Sequence, residues 1–346
     1  MAEAEKCDLD DIVNAFLTDV ESIRTSATIT GVMVTGLSQF IAKKFNEFLF
    51  TCEKVEGKEN SYKIPAEKFY RHKKLEEEHR RGTRATEIVP RSLLVALISQ
   101  YDAFLSGLVR ALFIHQPSLI KSSNRTIEFS EILKFSSIEE AKSAVMDAEL
   151  ESLLRDSHHE QFIWLENRFE LRTLREFPAW KNFVELTQRR NLFVHTNGKV
   201  SKQYIKVCQE NGVELKGINI GDQLEADSSY VRKSADTLLE VAVKLSQVLW
   251  RKTLPSQLAE ADESLVSITY DLLERKRYGL SIILLDFAFD VVKRYSSTDV
   301  RLRLLINRAN AYRLSGNLRR CAELVGGEDW QAYDPSFRLA AHILKK

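Results

Sequence analysis

"RSLLVALISQYDAFLSGLVRALF", residues 91–113, is apolar on almost every side at helical spacing and gives way to Pro117. A helix that is hydrophobic all round belongs in the middle of a core, with other helices against its faces. Pro90 stands immediately before it and suits a first helical turn, where a missing N–H costs nothing. The stretch therefore predicts a buried central helix beginning near Pro90, and with it an all-α fold. Asp102 breaks the pattern. A carboxylate among so many apolar groups requires a partner, so Asp102 reads as a structural hydrogen-bonding residue or as a support behind a functional site.

Outward from this helix the signals remain helical. Hydrophobic residues make up 44% of the 346 and charged ones 29%, with only six prolines, a composition that favours helix. Ser137 and Glu140 form a capping box that opens "IEEAKSAVMDAELESLLRDS". A further helix starts near Pro178 and runs through "AWKNFVELTQRRNLFVH", with Asn197-Gly198 as its left-handed stop. Asp227 caps another that ends in "VAVKLSQVLWRKT". Between these lie a polar connection, "SSNRTIEF" (122–129), and a loop-like stretch in which Asn211-Gly212 marks a short hairpin. The long helices between 90 and 252 form one bundle.

The ends are less regular. "LDDIVNAFLTDVESI" has helical spacing, whereas "SATITGVMVTG" is rich in β-branched residues and leaves strand, loop and poor helix open. "RHKKLEEEHRRGTR" (Arg71 to Arg84) reads as a solvated helix face with charge pairs three and four apart, the alternative being a stripe that touches RNA. Pro255 marks a boundary, beyond which helix-sized segments alternate with turns. The partition expected is an N-terminal region over 1–87, a bundle over 88–253 and helical hairpins over 254–346.

Several kinds of chemistry have no support. Cys7, Cys52, Cys208 and Cys321 are far apart and read as free thiols of a reducing compartment. The adjacent His158 and His159 lack any metal-binding spacing, and no metal or cofactor is expected. The acidic N-terminus shows no secretory signal, and "LSIILLDFAFDVV" is too short and too acidic to span a membrane. A cytoplasmic protein without membrane attachment is expected. The net charge of +1 decides nothing about nucleic acid.

The candidate site is "RRNLFVHTNG", residues 189–198. At about 100° per residue, Val184 and Thr187 share the face of Trp180, and Asn191 and His195 continue that stripe. Two polar groups thus end a side that should meet protein, and Arg190 reaches the same space on its long stem. Arg190, Asn191 and His195 are the catalytic candidates; Arg189, Lys199 and Tyr204 flank them as candidate substrate-binding residues. "RALFIH" (Arg110 to His115) repeats the Arg-to-His spacing without the Asn or the Asn-Gly stop, and reads as structural. Metal-free RNA cleavage needs the 2′-hydroxyl deprotonated, the phosphorane charge stabilised and the 5′-oxygen protonated. Histidine moves either proton, and arginine matches phosphate oxygens.

"RRNLFVHTNGKVSKQYI" resembles the active-site helix of the HEPN superfamily: Arg, four to six residues, then His, with Asn commonly after the Arg, and Gly198, Val200 and Tyr204 in the flanking texture. The resemblance covers about residues 88 to 252. It implies a helical domain that dimerises and often acts as a metal-independent endoribonuclease, in toxin-like or phage-defence roles with an antitoxin or trigger protein; some members are inactive RNA-binding or partner modules. "NRANAYRLSGN" similarly resembles the first-helix end and turn of a tetratricopeptide repeat, with Ala309, Ala311, Tyr312 and Gly316 permitting close helix packing. The expectation is a homodimeric endoribonuclease leaving a 2′,3′-cyclic phosphate, its two motifs facing each other across a two-fold axis. A catalytically silent RNA-binding or adaptor protein is the alternative.

Overall fold

The computed structural model describes residues 8–58, 60–121 and 128–345. Cys7, the acidic N-terminal stretch before Asp8 and most of the polar connection (122–127) lie outside the described residues. The protein is all-α. In chain order the helices are α1 (Leu9–Leu49), α2 (Phe69–His115), α3 (Ser118–Lys121), α4 (Phe129–Ile132), α5 (Ile138–Arg155), α6 (His158–Arg168) and α7 (Trp180–His195). They continue with α8 (Lys202–Glu210), α9 (Ser228–Thr253), α10 (Leu258–Glu274), α11 (Tyr278–Phe287), α12 (Thr298–Leu314), α13 (Leu318–Gly326) and α14 (Pro335–Leu344). A two-stranded antiparallel ribbon, β1 (Glu53–Lys54) with β2 (Tyr62–Lys63), lies between α1 and α2.

The caps read from sequence hold. Ser137 accepts from the Glu140 N–H at 3.1 Å, and Glu140 reaches back to the Ser136 N–H at 2.6 Å. Asp227 accepts from the Tyr230 N–H at 2.6 Å. The β-branched stretch, left open between strand, loop and poor helix, is helical within α1, where Thr28 and Thr30 donate their hydroxyls to carbonyls four residues back. Two other local readings are corrected. Pro90 does not open a helix; it is buried inside α2, which already runs from Phe69. An interior proline costs a helix about 3 kcal/mol. The buried side chains that follow, from Leu94 through Leu112, offset that loss, and the charged segment before it is helical in its own right. Glu77 there pairs with Arg80 and Arg81, three and four residues on. Asn211-Gly212 closes the end of α8 instead of making a hairpin.

Two compact units take up the chain. The first comprises Met1–Leu17, Tyr101–Trp180 and Asp236–Lys346. Its core holds the later part of the apolar run 91–113, with Phe16 and Phe104 rings 4.6 Å apart. The Leu280 tract is core material: Leu280, Leu284, Leu285 and Phe287 of α11 are buried, and a single π turn follows over Ala288–Val292. The α12–α13 hairpin turns at Gly316 (φ 89°) and packs Leu302, Ala309, Cys321 and Val325 with Trp330 and Phe337. Both sides of Pro255 belong to this unit, where Trp250 Nε1 donates to Gln257 Oε1 at 2.8 Å.

The second unit comprises Thr18–Gln100 and Lys181–Ala235. In it α1 and α2 lie side by side, with Phe45 against the rings of His72 and His79. Gly82 permits the approach, since a Cβ there would stand 3.2 Å from Ile41. Leu192, Val200, Tyr204 and Cys208 form a separate small core. On the far side of α1, Ile29, Val32, Met33, Leu37 and Phe40 face water at exposures between 55% and 73%. Among the described residues, Ala66–His115 is the one stretch long and apolar enough by length and composition to cross a membrane; 44% of its most apolar window is buried inside the protein.

Candidate functional site

Helix α7 carries the motif. Phe183, Val184, Leu186, Thr187 and Leu192 are buried. Between them, Glu185 gathers three donors: Arg189 Nε at 2.7 Å, the Tyr204 hydroxyl at 2.8 Å and the Tyr230 hydroxyl at 2.5 Å. Arg189 also donates to the Glu225 carbonyl and lies over the Tyr230 ring, 4.3 Å from its centre. Burial and the Glu185 charge hold both tyrosines above their usual ionisation range. The same two causes push the Cys208 thiol up to about 12. Iodoacetamide at pH 8 is therefore expected to label the part-exposed Cys52 and spare Cys208 until urea unfolds the chain, as peptide mass spectrometry would show. Rapid labelling of native Cys208 would contradict this small core.

The C-terminal end of the helix is more open. Asn191 is half-buried, Val194 and His195 are exposed, and His195 makes no side-chain hydrogen bond or ion pair among the described residues. The stripe read from sequence thus starts in the core at Val184 and Thr187 and emerges at the surface with Asn191 and His195. Arg190, the residue before Asn191, is half-buried.

The helix stops where the sequence says. Asn197 (φ 52°) and Gly198 (φ 87°) are both left-handed, and the Gly198 N–H reaches back to the Leu192 carbonyl at 2.9 Å. A Cβ on Gly198 would lie 2.6 Å from Gln223 Nε2 and 2.9 Å from the Leu224 carbonyl. Gly198→Ala is accordingly expected to lower stability by more than the ~1 kcal/mol of an unstrained glycine replacement, and to shift the melting temperature down. An unchanged melting temperature would show that the turn tolerates a side chain.

Sequence reasoning missed what holds this turn. Two arginines of α2 converge on Asn197: Arg84 Nη2 donates to its Oδ1 at 3.2 Å, and Arg91 Nη1 donates to the same Oδ1 at 3.2 Å and to the carbonyl at 3.4 Å. Gln223 adds a bond to that carbonyl at 2.8 Å. The Arg91 guanidinium also lies over Phe193, 5.2 Å from the ring centre. One signal was present in the sequence, a cation placed directly at the head of an apolar run.

The remaining candidates divide. Lys199 is exposed four residues after His195, and its backbone bridges to Gln223. Arg189 and Tyr204 both bond to Glu185, and the Tyr204 bond ties α8 to α7. Asp102 lies in the other unit and is half-buried, not enclosed as its apolar helix suggests; His158 Nε2 stands 3.0 Å from its Oδ1. His159 turns elsewhere, toward Trp180. In "RALFIH", Arg110 pairs with Asp147. Among the described residues no group of three or more His, Cys, Asp or Glu is arranged to hold a metal ion.

Comparison with known proteins adds no relative: no family model, no curated protein and no solved structure matches the chain.

Proposed function

We propose that the protein is a metal-independent endoribonuclease of HEPN type, acting as a cytoplasmic homodimer. The observation that carries this reading is the exposed His195 at the C-terminal end of α7, one turn beyond Asn191 on the helix that also carries Arg190. An accessible imidazole can take up or give a proton at the sugar and at the leaving 5′-oxygen. Each chain supplies one motif histidine; a second copy across a two-fold axis supplies the other, so that one takes the 2′-hydroxyl proton while its mate gives one up. Arg190 and Lys199 meet phosphate, and Asn191 orients the imidazole or the phosphate. Val194, 51% exposed between the two polar residues, gives the dimer contact an apolar component. An antitoxin or trigger protein that covers this end of α7 would restrain the activity, as a toxin or phage-defence role requires.

The test is incubation of the purified protein with total RNA in EDTA, followed by analysis of the new ends. Cleavage leaving 2′,3′-cyclic phosphates is the expected result. A magnesium requirement, or products with 3′-hydroxyls, would move the chemistry elsewhere. One observation favours the second reading, an RNA-binding or adaptor protein without catalysis: Arg189 and Tyr204 are withdrawn into the Glu185 network, which leaves fewer groups for transition-state contact.

A further inference from the structure

Arg91 is an anomaly of charge. It is 8% exposed, its hydrogen bonds go to neutral oxygens of Asn197, and its Nε is buried with no acceptor. Among the described residues it forms no ion pair. A guanidinium cannot shed its proton, so a buried one needs compensating negative charge nearby. Arg84 approaches the same Asn197 oxygen and pairs with Glu87, so that carboxylate is already matched. The C-terminal dipole of α7 supplies only about half an elementary charge. Two cations that converge on one amide oxygen repel each other and leave roughly half a positive charge or more unbalanced.

We propose that Arg91 and Arg84 form a phosphate-binding subsite at the Asn197 turn, which takes a backbone phosphodiester of single-stranded RNA. An anion at this point bonds the accessible Arg84 guanidinium and offsets the charge of Arg91 behind it. It also lies against the turn two residues past His195, where the strand running away from the scissile position would pass. This placement rests on the nuclease reading; the subsite itself rests on the charge imbalance alone. Its function is registration. A phosphate held there fixes how the strand crosses α7 without reading its bases.

The experiment measures binding of a fluorescent twelve-nucleotide RNA across a range of sodium chloride concentrations, in a His195→Ala background so that nothing is cut. Removing one cation that pairs with a phosphate of a single strand lowers the magnitude of the slope of log K against log[salt] by about 0.7. Arg84→Ala and Arg91→Ala are each expected to produce that drop. Arg91→Lys, which keeps the charge and loses the fork, is expected to weaken binding with the slope retained. Arg84 has a side chain 44% exposed, so its variant probes the subsite even where Arg91→Ala fails to fold. Slopes equal to the parent's for Arg84→Ala and Arg91→Lys, with no loss of affinity in either, overturn the proposal. Titration with inorganic phosphate separates the sources. If phosphate raises the melting temperature through Arg91 while the RNA slopes stay unchanged, the subsite serves a free anion and its assignment to RNA is wrong. If the slopes fall although the His195-intact protein cuts no RNA, the subsite stands and the nuclease reading fails.

Discussion

Replacing His195 by alanine is expected to abolish RNA cleavage, by a factor of about 10²–10⁴ or to below detection, while the melting temperature stays unchanged. The second half of that statement makes the first informative. His195 is exposed and bonds to no other side chain among the described residues, so its removal falls in the class of surface changes worth no more than about ±0.5 kcal/mol. Loss of activity with the fold intact therefore isolates a chemical role. The internal control is His115→Ala, which shares the Arg-to-His spacing, belongs to a segment where Arg110 pairs with Asp147, and is expected to cut normally. Wild-type rates from the His195 variant would sink the assignment, and the two-fold site with it.

The largest effect on stability is expected from Glu185→Ala. One carboxylate there serves a guanidinium and two phenol hydroxyls within a network that is mostly shielded from water. Deleting it leaves Arg189 as a poorly solvated charge and two hydroxyls without acceptors, a situation that costs about 3–5 kcal/mol. Glu185→Gln preserves the shape and one acceptor oxygen, and is expected to lose about half as much. Urea unfolding followed by circular dichroism would read both as lower midpoints at constant slope. The tyrosines supply an independent check. Their ionisation is held above the usual range, so their share of the stability is whole below about pH 10 and is lost as pH rises through the folded-state values. An alkaline titration of the native protein should therefore show Tyr204 and Tyr230 ionising late, together with unfolding. Early, fully reversible ionisation of both, or a Glu185→Ala midpoint equal to wild type, would mean that the network is decorative.

What was legible in the sequence was whatever depends on neighbours a few residues away. Asp227 before an apolar-periodic run, Ser137 with Glu140, and Asn197-Gly198 at a helix end are local devices, and each acts as its spacing says. The motif helix could be placed for the same reason. Pro90 misled because a proline reports only a missing donor; whether a helix opens there or runs through depends on burial on both sides. The β-branched stretch of α1 leaves strand and helix both open, because such residues fit either; the helical sequence on both sides makes it part of α1. Asp102's partner, His158, and the convergence of Arg84 and Arg91 on Asn197 span from about fifty to more than a hundred residues, and no local pattern encodes such meetings. Glu185 and Arg189 are a different case. Their four-residue spacing is a plain ion-pair signal, and the structure forms that pair.

The outward row of Ile29, Val32, Met33, Leu37 and Phe40 on α1 also changes how a routine assay must be interpreted. Dyes such as ANS fluoresce on apolar surface and are commonly taken to report a loosened, molten state. Here a fully native sample should already light up at neutral pH, because the dye finds a ready-made strip of hydrocarbon. The near-ultraviolet circular dichroism of the same sample should show fixed aromatic environments. A Val32→Lys, Leu37→Glu double variant should darken the dye signal and leave that spectrum alone. Without this control, a formulation screen guided by dye brightness would discard the conditions in which the protein is best folded.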